Sequence, residues 1–460
     1  MTDTPPTETR IVVPPGVASL MDRLWAHGHA AYVVGGSLRD TLLGRPAADW
    51  DLATDARPDR LLAIFPGSTY ENQFGTVAVG EAGAINEITT FRSDHDYADF
   101  RRPHRVEFGD SVEADLGRRD FTVNALAWGA DPPGTEAGHV VRSALVDPFG
   151  GAADVRARVL RAVGDPDARF REDALRMIRA IRLATTLDFT IEPATRGAIE
   201  ANAGLVAHLS GERISVELQK LLAAPSPSGG LRLLADIGIL AVIAPELAAQ
   251  RGVTQNKVAG EDLLGHTLRS VDAAPAGRPI VRLAALLHDI GKPATIADGP
   301  FRGHETVGAE MAAAVLDRWR LPRVVTSRIV DLVRHHMFTY DPGWGDAGVR
   351  RFIQRVGRDA LEDLFALRAA DNVGSGADPG AHGLEELRAR VAEQLAADVV
   401  LDRRQLAVDG DDLMAELRLP PGPTLGRILD ALLERVVTDP ALNDRPTLLL
   451  LAESMLADDR

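Results

Sequence analysis

The run AYVVGGSLRDTLLG, residues 31–44, constrains this chain more than any other. Aromatic and β-branched residues lead into Gly35-Gly36, and a helical pattern follows from about Ser37, so a strand must turn sharply into a helix. Glycines at such a junction let an anion approach backbone N–H groups, and the start of a helix favours negative charge. Arg39, one turn in, could reach the same anion. An ordinary tight strand-to-helix turn would look the same, so Gly-Gly alone decides nothing.

Thirteen residues after Gly36 comes DWDLAT. Asp49 and Asp51 alternate around Trp50, and if the segment is a strand, its period of two places both carboxylates on one face. Adjacent carboxylates repel unless a cation sits between them, which is how Mg²⁺ is held for phosphoryl transfer. D-x-D alone also suits a solvated acidic turn; Gly-Gly, Arg-Asp and D-x-D in this order are much rarer together. Glu87, in INEITTFR, falls on an expected neighbouring strand with the right alternation for a third carboxylate, or is a surface residue of that strand.

A chain of 460 residues exceeds one compact core and implies about two to four domains. The expected fold class is α+β. A tail and first helix (1–27) precede a small α/β head (28–150). Helical periodicity then dominates a neck (151–224), a body linker (225–260) opening on PSPSGG, a second helical unit (261–375), and a C-terminal helical tail (376–460) opening on GADPGAHG. No stretch approaches the ~18 apolar residues of a membrane helix, and the polar, Pro-rich opening lacks a signal-peptide core, so no membrane partner is expected. The chain has no cysteine, so any metal must sit on His, Asp or Glu; these features point to the cytoplasm. The net charge of −15 argues mildly against broad nucleic-acid binding. The basic residues are nearly all Arg, with Lys only at 220, 257 and 292, and an Arg-lined cleft could still hold RNA.

GGSLRD, DWDLAT, LGRRDFTVNALAW, DPFGG and REDALRMIRAIR, in that order, resemble the motifs of class II CCA-adding enzymes and the related bacterial poly(A) polymerases. The resemblance is close over about 30–220. It implies template-independent addition of nucleotides from CTP and ATP to the 3′ end of tRNA, with Mg²⁺ on Asp49 and Asp51 and release of pyrophosphate. It leaves open a poly(A) polymerase on the same scaffold.

Base choice has a chemical reading. Cytosine and adenine both present an amine beside a ring-nitrogen acceptor, whereas guanine and uracil present a carbonyl beside a ring N–H. On one helix, Asp173 and Arg176 would share a face, the first accepting from the amine and the second donating to the ring nitrogen. Such a pair rejects G and U by leaving polar groups unpaired. Arg179 and Arg182 continue the stripe, and the resemblance places them on the nucleotide too. A solvated face with ion pairs is the alternative for the helix alone. In RRDFTVNALA the resemblance implies contacts to sugar and phosphates: Arg119 is the phosphate candidate, and Asp120 and Asn124, four apart, could meet the sugar edge if the segment is helical. Phe121 and Leu126 are expected in the core, and Asp147 is a candidate hinge between head and neck. The polar stretch RSDHDYADFRRPHRVEF reads as a connecting loop, and the resemblance implies a flexible loop used to switch from C to A.

The second unit carries LAALLHDIGKP, with His288-Asp289, preceded by His266 and followed by His304, His335-His336 and Asp371. This pattern resembles the HD phosphohydrolase superfamily, in which His266, His288, Asp289 and Asp371 match metal-ligand positions. The mixed donors suit a second divalent metal. His335 is the expected match of its pair. The resemblance implies hydrolysis of RNA-end phosphates, unless the domain is structural and keeps relic histidines; a metal phosphohydrolase whose first half only binds RNA is a further alternative. The C-terminal segment resembles tails that support tRNA.

Overall fold

The computed structural model describes residues 11–47, 49–70, 75–97, 103–109, 111–132, 143–255, 257–298, 301–397 and 399–458. The chain divides into two compact units, 1–243 and 244–460, a boundary that falls inside the stretch read as a body linker.

The first unit opens with α1 (Pro15–Ala26), whose Val17, Leu20, Met21 and Leu24 form its buried stripe. Nine strands follow: β1 (Ala31–Val34), β2 (Asp51–Thr54), β3 (Thr69–Tyr70), β4 (Thr76–Glu81), β5 (Ala84–Thr90), β6 (Arg92–Tyr97), β7 (Pro103–Phe108), β8 (Ala127–Ala130) and β9 (Ala144–Val146). Seven form one sheet in the order β3-β4-β5-β2-β1-β8-β9, in which only β2 and β5 run parallel. The runs AYVV and NEITT expected as strands are β1 and β5, and TVAVG forms β4. Tyr32, Val34, Ala53, Phe91, Ala125 and Ala127 pack in the core beneath this sheet. Three short helices lie between the strands: α2 (Gly36–Leu42), α3 (Pro58–Ile64) and α4 (Val112–Gly117).

The stretch expected as a connecting loop contains two paired strands. β6 and β7 pair antiparallel, with Arg92 beside Phe108 and His95 beside Arg105. Polar residues fall on both faces of these strands, so the hydrophobic alternation that announces a half-buried strand is missing and only backbone pairing reveals it. Residues 98–102 of this stretch, and the N-terminal residues 1–10, lie outside the described residues.

The remainder of the unit is mainly helical, with one short parallel pair of strands, Val159–Leu160 and Thr190–Ile191: α5 (Gly151–Ala157), α6 (Pro166–Glu172), α7 (Leu175–Leu187), α8 (Pro193–Asn202), α9 (Gly211–Leu222), α10 (Ser228–Asp236) and α11 (Ile239–Ile243). Asp147 accepts from the N–H groups of Gly151 (2.6 Å) and Ala152 (3.0 Å), so it caps the first turn of α5.

The second unit contains α12 (Pro245–Ala248), α13 (Leu263–Ala273), α14 (Pro279–Leu287), α15 (His304–Arg318), α16 (Arg323–His335), α17 (Asp346–Val356), α18 (Leu361–Gly374), α19 (Leu384–Ala396), α20 (Gly410–Leu417), α21 (Pro423–Thr438) and α22 (Arg445–Asp458). Its last helices share an apolar cluster built on Leu413, Leu432, Val436 and Leu448. Among the described residues, no helix is long and apolar enough to cross a membrane.

Candidate functional site

In the first unit a cleft of about 610 Å³ opens above the C-terminal ends of β1 and the start of β2. The antiparallel pairing of these strands sets Val34 beside Asp51, so the Gly-Gly turn and the acidic pair become neighbours although thirteen residues separate Gly36 from Asp49. Gly35 has φ +81°, and a Cβ there would lie 2.9 Å from Arg119 Nη1. Its backbone N–H donates to the Leu126 carbonyl (3.1 Å), so the turn is held from β8's side of the sheet.

The strand expected to carry both aspartates carries one. β2 begins at Asp51, and Asp49 lies in the segment before it; both line the cleft. Asp51 is exposed, yet desolvation by the walls of the cleft raises its carboxyl above the ordinary range; Arg119 opposes the shift, and Asp49 adds to it. That repulsion between two carboxylates is what a divalent cation relieves, so the pair fits a divalent metal. Glu87 is exposed on β5. Leu52 pairs with Ile88, a register that carries Asp51 and Glu87 to the same face of adjacent strands. It does not line the cleft.

Eight basic side chains line the cleft (Arg39, Arg118, Arg119, Arg176, Arg179, Arg182, Arg213 and Lys220) against five aspartates (Asp40, Asp49, Asp51, Asp120 and Asp173). A chain of net charge −15 therefore holds a locally cationic site. Arg119 is partly buried, and its buried Nε has no hydrogen-bond partner; nor has Arg213 Nη1. Burial lowers the Arg119 pKa, with Asp115 working against that shift. The arginines that line the cleft offer the charge-assisted donors that an anionic ligand takes.

The segment expected as helical around Asp120 and Asn124 is an extended residue followed by a single 3₁₀ turn, Thr122–Asn124. The turn still brings the two together: Asn124 Nδ2 donates to Asp120 Oδ1 (3.1 Å) and Asn124 Oδ1 accepts from Arg39 Nη1 (2.6 Å). Arg179 Nε lies 2.7 Å from Asp120 Oδ2. Burial opposes ionisation of Asp120, but Arg179 and the Asn124 hydrogen bond outweigh it and hold its pKa low. Phe121 and Leu126 are fully buried.

Asp173 and Arg176 do not share a continuous helix. α6 ends at Glu172 and α7 begins at Leu175; Asp173 is extended between them (φ −148°, ψ 105°). Its Oδ1 accepts from the Leu175 N–H (3.1 Å), a local bond that competes with helix and explains the break. Its Oδ2 accepts from Arg213 Nη2 (2.7 Å). Arg176 donates to the carbonyls of Arg169 and Arg118 (both 3.1 Å) and to Glu172 (2.6 Å), so three of its five N–H groups fix the guanidinium plane. Arg182 Nε donates to buried Glu217 (2.9 Å). Arg213, Glu217 and Lys220 were not singled out from the sequence. Their spacing on α9, four and then three residues, places them on one face, and that was the available signal.

The second unit holds a buried cluster. The Nε2 atom of His266 lies 3.1 Å from both His288 Nε2 and Asp289 Oδ2, and 3.3 Å from Asp371 Oδ1. On the other carboxylate oxygen, Asp289 Oδ1 lies 3.3 Å from His304 Nε2 and 3.6 Å from His336 Nε2. Two triads able to hold a metal ion thus share Asp289: His266-His288-Asp289 and Asp289-His304-His336. The Nδ1 atoms of His288, His304 and His336 lie 2.8, 2.7 and 2.6 Å from the carbonyls of Ala285, Phe301 and Val333. Those bonds favour the ring proton on Nδ1, so each Nε2 lone pair faces other acceptors, an arrangement that a divalent cation between them would satisfy. This donor set fits a divalent metal. Burial opposes protonation of His266, but bonds to Asp289 and Asp371 outweigh it and raise its pKa. The expected His335 is a correction: it lies outside the cluster, and His336 occupies it, 1% exposed. His336 continues the buried stripe Ile329, Leu332, Val333 of α16 at helical spacing, and His335 falls off that stripe.

Three family models match: a poly A polymerase head domain over 31–161, a probable RNA and SrmB-binding site of polymerase A over 188–251, and an HD domain over 262–374. A CCA-adding enzyme of Geobacillus stearothermophilus is 35% identical over 434 residues, 93% of each chain. An A-adding tRNA nucleotidyltransferase of Deinococcus radiodurans is 34% identical, covering 88% of this chain and 91% of that one. The crystal structure of the Bacillus stearothermophilus CCA-adding enzyme in complex with CTP matches with TM-score 0.71 and 31% identity, over 97% of this chain and 99% of that one.

Proposed function

This chain belongs to the CCA-adding enzyme family, and from that membership we propose that it adds C, C and A to the 3′ end of tRNA from CTP and ATP, releasing pyrophosphate. A single observation carries the reading: Asp49-Asp51 and the base-reading pair Asp173-Arg176 open into one cationic cleft. Asp49 and Asp51 hold the divalent metal, taken as Mg²⁺, and Glu87 on the adjoining strand is the third carboxylate. Bound there, the metal neutralises charge on the attacking 3′-oxygen and the leaving pyrophosphate.

The chain's own groups do the rest. Gly35 and Gly36 give the triphosphate a close approach; Arg39 and Arg119 bind it. Asp120 and Asn124, tied to one another, meet the sugar. Asp173 accepts from the amine of cytosine or adenine while Arg176 donates to the ring nitrogen, and Arg179 and Arg182 complete that wall. Arg213 and Glu217 keep Asp173 and Arg182 in place. Action on tRNA goes with a cytoplasmic location.

The test is a tRNA ending at its discriminator base, incubated with each nucleotide singly and with both. Ordered C, C, A addition that then halts supports the reading. Addition of A alone, and only to tRNA already ending in CC, would assign the chain to the A-adding type; A tails on any RNA would assign it to poly(A) polymerases.

The buried cluster of the second unit is proposed as a metal centre held by His266, His288, Asp289 and Asp371, with His304 and His336 on the far oxygen of Asp289, acting on RNA-end phosphates. Metal analysis of the purified chain, and of His288→Ala, tests it: bound divalent metal lost in the variant supports it, and no metal in either overturns it.

A further inference from the structure

Asp115 stands one residue ahead of the run LGRRDFTVNALAW, outside the residues that line the transferase cleft. It lies on α4, the helix whose C-cap is Arg118, and it is 1% exposed. A carboxylate at that depth needs charged partners. Arg118 donates to its Oδ1 from Nε (2.9 Å) and from Nη2 (2.7 Å), and Arg119 Nη2 reaches its Oδ2 (3.4 Å). The backbone N–H of Arg92, the first residue of β6, also donates to it. Burial opposes ionisation of Asp115, but the two guanidiniums outweigh it and hold its pKa low. One anion shared by two cations leaves a positive charge over, and both arginines line the cleft.

The pairing also fixes direction. A guanidinium carries its five N–H groups in one rigid plane, and Asp115 grips the Nε–Nη2 edge of Arg118, which sets that plane. Arg118 acts a second time through its backbone. Its carbonyl accepts from Arg176 Nη2 (3.1 Å), one of the bonds that fix the guanidinium proposed to read the base. Arg119, proposed for the triphosphate, adds to its ion pair with Asp115 a long contact from Nη1 to the Asn124 carbonyl (3.5 Å). Supports thus run from one buried carboxylate toward both ends of the nucleotide.

We propose that Asp115 is a positioning residue of the transferase site: through Arg119 it sets the grip on the triphosphate, and through Arg118 it steadies the base-reading Arg176. It touches no substrate itself. The proposal rests on the nucleotide-binding reading above and adds the group that keeps two of its residues in register. A plain structural ion pair is the rival, and it predicts lower stability with nucleotide handling intact.

The experiment measures kcat and KM for CTP and for UTP on a tRNA ending at its discriminator base, with the parent, Asp115→Asn and Asp115→Glu. Thermal melts are run on the same samples. Asp115→Asn keeps the shape and one acceptor but leaves the guanidiniums without their counter-ion. Its KM for CTP should rise about tenfold, the worth of one charge-assisted bond, and its CTP-over-UTP ratio of kcat/KM should fall about fivefold or more. Asp115→Glu retains the charge and should fall between the parent and Asp115→Asn in both. Parent values of KM and ratio in a folded Asp115→Asn would overturn the proposal, and so would a loss confined to kcat. If Asp115→Asn fails to fold, Arg118→Lys decides. It keeps the charge and the backbone carbonyl but gives up the two-bond grip, so the CTP-over-UTP ratio should fall; an unchanged ratio overturns the proposal. A parent that adds neither C nor A to tRNA removes the nucleotide-addition reading and this inference together. A parent that adds them, matched by its variants, removes this inference alone.

Discussion

Arg213 Nη2 donates to Asp173 Oδ2 across 2.7 Å and ties α9 to the break between α6 and α7. With Leu175 N–H on the other oxygen, the carboxylate proposed to read the base has both oxygens held before a nucleotide arrives. Replacing Arg213 by Ala frees one of them. The preference for CTP over UTP should fall by roughly tenfold, the worth of one charge-assisted hydrogen bond. Single-nucleotide incorporation kinetics measure it, and unchanged selectivity would show that Asp173 needs no support from α9.

Asp51 carries a pH signature. Its carboxyl titrates above the ordinary range because desolvation by the cleft walls, opposed by Arg119 and aided by Asp49, penalises the charged form. A folded-state pKa above the unfolded one means that folding binds a proton between the two values, so this group lowers stability as pH rises through that window. Asp51→Asn should therefore melt higher than the parent at neutral pH in a chelating buffer. The gain should shrink as the pH is lowered through the carboxylate range. Nucleotide addition should fall by about 10²-fold or more in the same variant. Thermal melts across pH and a primer-extension assay check the two halves.

Gly35 sits at φ +81°, and a methyl group there would approach Arg119 Nη1 to 2.9 Å. Gly35→Ala should cost about 1–3 kcal/mol of stability from the backbone alone. It should also weaken CTP binding by displacing Arg119. Chemical denaturation and nucleotide titration report these separately; normal affinity in a destabilised protein would show that Arg119 does not hold the phosphates.

The adjacent histidines of α16 should behave differently. His336→Ala removes an imidazole beside Asp289 and should lower bound divalent metal, whereas His335→Ala should leave it unchanged. Metal analysis of both variants decides; equal loss would mean that the cluster is assembled otherwise.

Much of this was legible in the sequence because it is local. The three strands richest in β-branched residues, the Gly-Gly turn, the order of acidic and basic motifs and the HD dipeptide all announce themselves within short windows. His336 could have been chosen over His335 by continuing the stripe Ile329, Leu332, Val333 one turn further. The break at Asp173 was harder. Helical periodicity runs straight through it, and only the preference of aspartate for a local backbone bond argues for an interruption. The β6–β7 pair was not legible, because polar residues on both faces erase the alternation that signals a strand.

The sequence by itself determined which groups the two centres could be made of, and the α+β order of the units, since residue type and period are properties of short segments. Only the tertiary structure decided which groups meet. Antiparallel pairing brings Asp51 to Val34, packing of α9 brings Arg213 to Asp173 and Glu217 to Arg182, and the helices of the second unit bring four imidazoles to Asp289 and Asp371. Spacing along a helix or strand says which residues share a face. What that face packs against depends on long-range burial of apolar surface, which no short window encodes.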